Sequence, residues 1–108
     1  MNFLFGKKQS VQAIAELVED GREIMNEEMK KPKYNEYAGR EIFIEVVVRV
    51  LPEDEPPFEA KMQAGLLKAY LLKPGVRVRV QYDPAKKERV SMDDEPAEIL
   101  ERNPQLKK

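Results

Sequence analysis

The side chains of this chain that could do chemistry are few in kind. Histidine and cysteine are both absent. Their absence removes the commonest general base, the commonest transition-metal ligand and all thiol chemistry. Threonine and tryptophan are absent too, and the only serines are Ser10 and Ser91, so no Ser-His or Cys-His nucleophile pair can form within the chain. Tyr82-Asp83 sets a phenol beside a carboxylate. Adjacent strand residues point to opposite faces, however, so the two are poorly placed to share a substrate. The expected roles are structural: Tyr82 closes the rim of the fold, and Asp83 bonds its own turn backbone ahead of Pro84. Glu53-Asp54-Glu55 and Asp93-Asp94-Glu95 offer oxygens to a hard cation but lack the spaced Asp and Gly pattern of a dedicated loop. They read as solvated charge at a turn and at a helix start. No carboxylate pair is singled out by position for acid–base work, and no cofactor motif is present. The chain is expected not to be an enzyme.

Recognition is the other possible chemistry, and two surfaces offer it. Arg49, Lys61, Arg77 and Arg79 fall on one predicted outer face, where a basic strip near Phe43 or Tyr82 would suit single-stranded nucleic acid. Glu45 and Glu59 interrupt that face, and 19 cationic residues against 20 acidic ones leave a net charge of −1. No global field draws in a polyanion. The second surface is the segment 22–41, where Lys33, Tyr34, Tyr37 and Arg40 mix aromatics with cations as recognition surfaces do. The alternative there is that the tyrosines cover a barrel edge, and both readings stand.

The elements that must position these residues follow from periodicity. IFIEVVVRV at 42–50 sets Ile42, Ile44, Val46, Val48 and Val50 on one side and Phe43, Glu45, Val47 and Arg49 on the other. FEAKMQA at 58–64 alternates again, and PEDEPP between the two cannot lie in a central strand. An antiparallel hairpin across that loop is predicted. GLLKAYLL at 65–72 reads as a short helix placing Leu66, Leu67, Tyr70 and Leu71 over the sheet end, stopped at Pro74-Gly75. VRVRVQY at 76–82 is a strand with Val76, Val78, Val80 and Tyr82 inward, and residues 88–92 form a short closing strand. Acidic residues ahead of Pro96 mark a helix start over 97–102, after which residues 105–108 are expected to fray. Residues 22–41 read as a loop with at most a helical turn around Ile24, Met25 and Met29. Residues 11–19 are ambiguous, and periodicity alone leans toward a helix.

The stretch from Ile42 to Asp93 resembles a small bacterial β-barrel domain of unknown function, in some proteins followed by a short C-terminal oligomerisation segment. The resemblance rests on Pro56 to Ala60, on Leu72 to Gly75, on the PGVRVRVQYDP run from Pro74 to Pro84, and on Arg89 to Met92. It implies that residues 11–19 are a strand ending near an Asp20-Gly21 turn. It implies no activity. The long 22–41 insertion departs from the family pattern, and no oligomerisation segment is recognisable.

The expected fold is mainly β: a small antiparallel, OB-like barrel of about five strands with a short inserted helix and a short C-terminal helix. Residues 1–9 are expected to be a flexible lead-in, 10–93 the barrel and 94–108 a helical tail. MNFLF is too short an apolar cluster for a secretory signal, and no run reaches the ~20 apolar residues of a membrane span. A cytoplasmic protein is expected, the alternative being that Phe3, Leu4 and Phe5 touch a membrane or a partner. The expected function is a non-enzymatic interaction module that binds a protein or a second copy of itself, with an OB-like binder of single-stranded nucleic acid as the alternative.

Overall fold

A computed structural model describes residues 10–30 and 43–107. Among them are five strands: β1 (Val11–Leu17), β2 (Phe43–Leu51), β3 (Phe58–Gly65), β4 (Arg77–Asp83) and β5 (Lys86–Met92). They close into a barrel in the order β1-β2-β3-β5-β4, with every neighbouring pair antiparallel except β3 and β5. Three short helices accompany them: α1 (Gly21–Met29), α2 (Leu66–Ala69) and α3 (Pro96–Arg102), the last followed by a 3-10 turn over Pro104–Lys107. No described helix is long and apolar enough to cross a membrane.

The period-2 pattern produces the core. Ile44, Val46, Val48 and Val50 are buried on β2, Ala60, Met62 and Ala64 on β3, and Val78, Val80 and Tyr82 on β4, while the intervening charged residues face outward. Residues 11–17 are a strand as the resemblance implied, with Ala15 and Leu17 buried. Small residues stand opposite large ones across the ladders: Ala60 pairs with Val48, Ala64 with Ile44, and Ala15 with both Val50 and Val78. That alternation fills a narrow barrel interior without overpacking it. Gly75 adopts φ +93°, a conformation that strains other residues, and its amide donates to the Leu17 carbonyl at 2.9 Å.

Three expectations are corrected. Residues 21–29, where a short helical turn around Ile24, Met25 and Met29 was expected within a loop, form the longer helix α1. Asp20 is not part of a tight turn but the helix N-cap, its carboxylate accepting from the Glu23 amide at 3.1 Å. Gly21 is needed there because a Cβ would meet the Ala69 carbonyl oxygen at 2.6 Å, where α1 passes against α2. Leu71 packs against the core as expected, but Tyr70 lies outward beneath the Arg22 guanidinium, and Ala69 and Leu72 are the fully buried residues of this segment. Finally, residues 104–107 do not fray. They form the 3-10 turn, and Leu106 packs against the core.

The tail finishes a job that β5 leaves undone. β5 ends at Met92, opposite Val80, so the first half of β4 runs on without a strand on that side. Asn103 replaces the missing strand at Arg77: its Oδ1 accepts from the Arg77 amide at 2.8 Å and its Nδ2 donates to the Arg77 carbonyl at 2.7 Å. At Arg79, Asp94 accepts from the amide at 3.0 Å and the Asp93 amide donates to the carbonyl at 2.8 Å. The side-chain amide and the carboxylate thus satisfy edge groups that would otherwise be orphaned. Ile99 of α3, fully buried, anchors the segment in the core.

Val48 and Val78 are completely buried, so Val48→Asp and Val78→Asp should each remove most of a domain stability of about 5–15 kcal/mol. Arg77→Gln and Arg79→Gln should stay within about 0.5 kcal/mol of wild type. Chemical denaturation of the four variants checks both statements. Asn103→Ala should cost about 1–3 kcal/mol by leaving both Arg77 backbone groups unpaired. Hydrogen exchange should show the Arg77 amide losing protection in that variant before amides of β2 do.

Candidate functional site

Of the residues singled out in the sequence, Lys33, Tyr34, Tyr37 and Arg40 lie outside the described residues. The proposed basic face is described in full. Arg49, Lys61, Arg77 and Arg79 are all exposed on the barrel wall, but the register does not gather them. Going around the barrel, Arg77 stands opposite Glu16, Glu16 opposite Arg49, and Arg49 opposite Glu59. Cation and anion alternate from strand to strand, which favours cross-strand pairing over a continuous positive track. Lys61 sits in another row, between Val47 and Arg89, and Arg79 is opposite Ile14. Arg89 is itself paired with Glu45 at 2.6 Å.

The acidic sets behave differently from each other and from a cation site. Among the described residues, no three potential ligands converge where a metal ion could sit. Glu55 ties the PEDEPP loop to the barrel: Lys87 pairs with one carboxylate oxygen, and the Tyr82 hydroxyl donates to the other at 3.3 Å. The Lys87 hydrogen bond holds the Glu55 carboxyl below its usual range, whereas burial and the nearby carboxylate raise the Tyr82 phenol. Phe58 meets Tyr82 edge-on at 5.3 Å between ring centroids, completing the plug of this end. Asp83 accepts from the Ala85 amide at 2.9 Å, as expected of a turn carboxylate.

Asp94 overturns the reading of solvated helix-start charge. It is 1% exposed and takes a bidentate contact from Arg102, Nε to Oδ2 and Nη2 to Oδ1, each at 3.0 Å. Burial alone would push its carboxyl up. The Arg102 hydrogen bonds, the Arg79 amide and the two guanidinium charges outweigh burial and hold it below the ordinary carboxylate range. Arg102 is raised in turn, chiefly by its hydrogen bond to Asp94.

The surface feature with the makings of a binding site lies elsewhere. β3 and β5 pair only at Lys61↔Arg89 and Met62↔Val90. Beyond Met62 and Val90 the strands part, leaving an open cleft of about 410 Å³ lined by Gln63, Ala64 and Gly65 on one side and Val90, Ser91 and Met92 on the other. Arg89 of β5, Lys68 of α2 and Phe43 of β2 complete the lining. Phe43 is opposite Gly65, which has no side chain to cover the ring, and is 47% exposed. Alternation did place Phe43 on the outer face. The seam escaped notice because a parallel pairing between strands 3 and 5 leaves no mark in local sequence. Such a cleft, with one aromatic, two cations and open strand backbone, is equipped for binding by shape and hydrogen bonding, and nothing in it resembles a nucleophile with its base.

Comparison of the chain with family models, with curated proteins and with solved structures gives no match. The functional reading therefore rests on this geometry.

The Asp94 carboxyl has a lower pKa in the folded chain than in the unfolded one. Its contribution to stability is present above the unfolded value of about 4 and is lost as pH falls through the folded value. Thermal melts from pH 6 down to pH 2 should show this acid loss, and Asp94→Asn should flatten part of it while lowering stability at pH 6.

Proposed function

We propose that this chain is a non-enzymatic binding module whose ligand is a protein, carried on a barrel of the OB type. The strand order β1-β2-β3-β5-β4, with α2 between β3 and β4, supports the OB reading. The observation that carries the protein-binding reading is the exposed Phe43 at the mouth of the β3–β5 cleft. Aromatic rings are enriched where protein surfaces meet, because they supply contact area at little entropic cost. Lys33, Tyr34, Tyr37 and Arg40 precede Phe43 closely in the chain and belong to the same proposal as partner contacts. The resemblance to a bacterial barrel family is compatible with such a module and adds no activity to it. A cytoplasmic setting is proposed on the absence of cysteine.

Single-stranded nucleic acid is the second reading, favoured by the exposed aromatic on the β2–β3 wall. The alternation Arg77, Glu16, Arg49, Glu59 around the barrel weighs against it, since nucleic-acid affinity grows with the number of phosphates neutralised.

Fluorescence anisotropy with labelled single-stranded DNA and RNA at physiological salt should give dissociation constants no tighter than the non-specific range of about 10⁻⁴–10⁻⁶ M. Tight, salt-sensitive binding lost in Arg77→Glu and Arg79→Glu would replace the protein-binding reading with the nucleic-acid one. Capture of a partner from the source cell should fall at least tenfold in Phe43→Ala and in the Tyr34→Ala, Tyr37→Ala double variant, with melting temperatures unchanged. A large loss of stability in the double variant would instead mark those tyrosines as barrel cover.

A further inference from the structure

We propose that the cleft where β3 and β5 part receives an extended, acidic segment of a protein partner, added as a strand between the two. The inference rests on the protein-binding reading above and names the chemistry of the partner. Three observations support it. The first is backbone: the ladder between β3 and β5 stops at Met62↔Val90, while three residues of β3 and two of β5 continue along the cleft. Parting strands with open inner edges form a template for strand addition, in which main-chain hydrogen bonds supply affinity and alternate side chains supply selectivity.

The second is charge. Among the residues lining the cleft, the only charged ones are Lys68 and Arg89. Both now hold carboxylates from outside the cleft: Lys68 is 3.8 Å from Glu95, and Arg89 is 2.6 Å from Glu45. The side chains of Glu95 and Arg89 are well exposed, and ion pairs of this kind exchange readily for an incoming carboxylate. A basic segment would meet two cations, so the cleft discriminates in favour of an acidic one.

The third is the ring. Phe43 lies against Gly65, with its Cε1 carbon 3.6 Å from the position a Cβ would take there, so no side chain intervenes between the ring and the end of the cleft. An aromatic or branched side chain of the added strand would cover it. The ligand pattern is therefore an extended run in which carboxylates alternate with apolar residues, one of them reaching Phe43.

The probe is a blocked seven-residue peptide alternating Val and Glu around a central Phe, with a counterpart carrying Lys in place of each Glu. In an amide-detected NMR titration of the full chain, the acidic peptide should shift Phe43, Gln63 to Gly65, Lys68 and Val90 to Met92, saturating below millimolar concentration. The Lys peptide should bind at least tenfold more weakly. Phe43→Ala and Lys68→Glu, both on exposed or partly exposed side chains, should each weaken the acidic peptide at least fivefold without lowering the melting temperature. The inference fails if neither peptide saturates, if the Lys peptide binds equally, or if the shifts map to another face. Concentration-dependent shifts at the same residues in the free protein, with dimer in sedimentation, would replace the partner by a second copy. If the peptide fails while Phe43→Ala still abolishes partner capture, strand addition is overturned and the protein-binding reading survives. If single-stranded oligonucleotides shift these residues tightly, both fall.

Discussion

A barrel strand that runs on without a neighbour on one side must satisfy its edge groups in another way, and β4 does so with help from the tail. Its inner half pairs with both β1 and β5. Its first half pairs with β1 alone, because β5 stops at Met92. The amide and carbonyl of Arg77 are then met by a single side-chain amide, that of Asn103, which offers one acceptor and one donor in the arrangement a strand would. Asn103 also donates to the Ile99 carbonyl at 2.7 Å, so the same group closes the end of α3 and the edge of β4. The hydrogen bonds of Asp94 to the Arg79 amide and to Arg102 bind helix and strand a second time. A buried carboxylate is costly unless it is paired and fully bonded, and here each of its oxygens has a partner.

How much of this was legible in the sequence follows from the range of the interactions involved. Strands such as 43–51 and 77–83 declare themselves because their alternation is a local property: Ile44 to Val50 and Val78 to Tyr82 could face only a core. The helix at 21–29 was locally signalled as well, by Asp20 with Glu23 three residues on, which is the spacing of an N-terminal cap. The Asp-Gly dipeptide imitated a turn and masked it. Gly21 is there for another reason: α1 and α2 approach so closely that a methyl group would strike backbone. The role of Asn103 was not legible at all. An asparagine after a helix is an ordinary C-terminal residue, and its partner lies 26 positions away.

The barrel wall shows why counting charges says little about a binding face. Arg49 and Arg77 were correctly placed on the outside, yet Glu16 of β1 stands between them and Glu59 of β3 follows. Glu16 came from a segment whose strand character was itself in doubt, so its place in that row could not be read. The wall is knit together by alternating charge, and what departs from that rule becomes informative. The departure occurs at the seam, where the parallel pairing of β3 and β5 lasts two residues and the lining carries cations alone.

The two ends of the barrel carry this contrast further. At one end Glu55, Tyr82, Lys87 and Phe58 satisfy one another, with Lys87 also 5.3 Å from the Phe58 ring centre. Polar atoms there have partners and aromatic faces have neighbours, so little is left to offer a ligand. At the seam Phe43 faces a glycine, and the cations are held only by glutamates at its margin. Both regions contain an aromatic ring, a cation and a carboxylate within a few residues of a strand end. The difference is that the first set closes on itself, while the second leaves ring, charge and backbone pointing toward the same open volume. Composition cannot distinguish the two arrangements, but connectivity does, because the parallel pairing of β3 and β5 lasts two residues and the cleft opens beyond it.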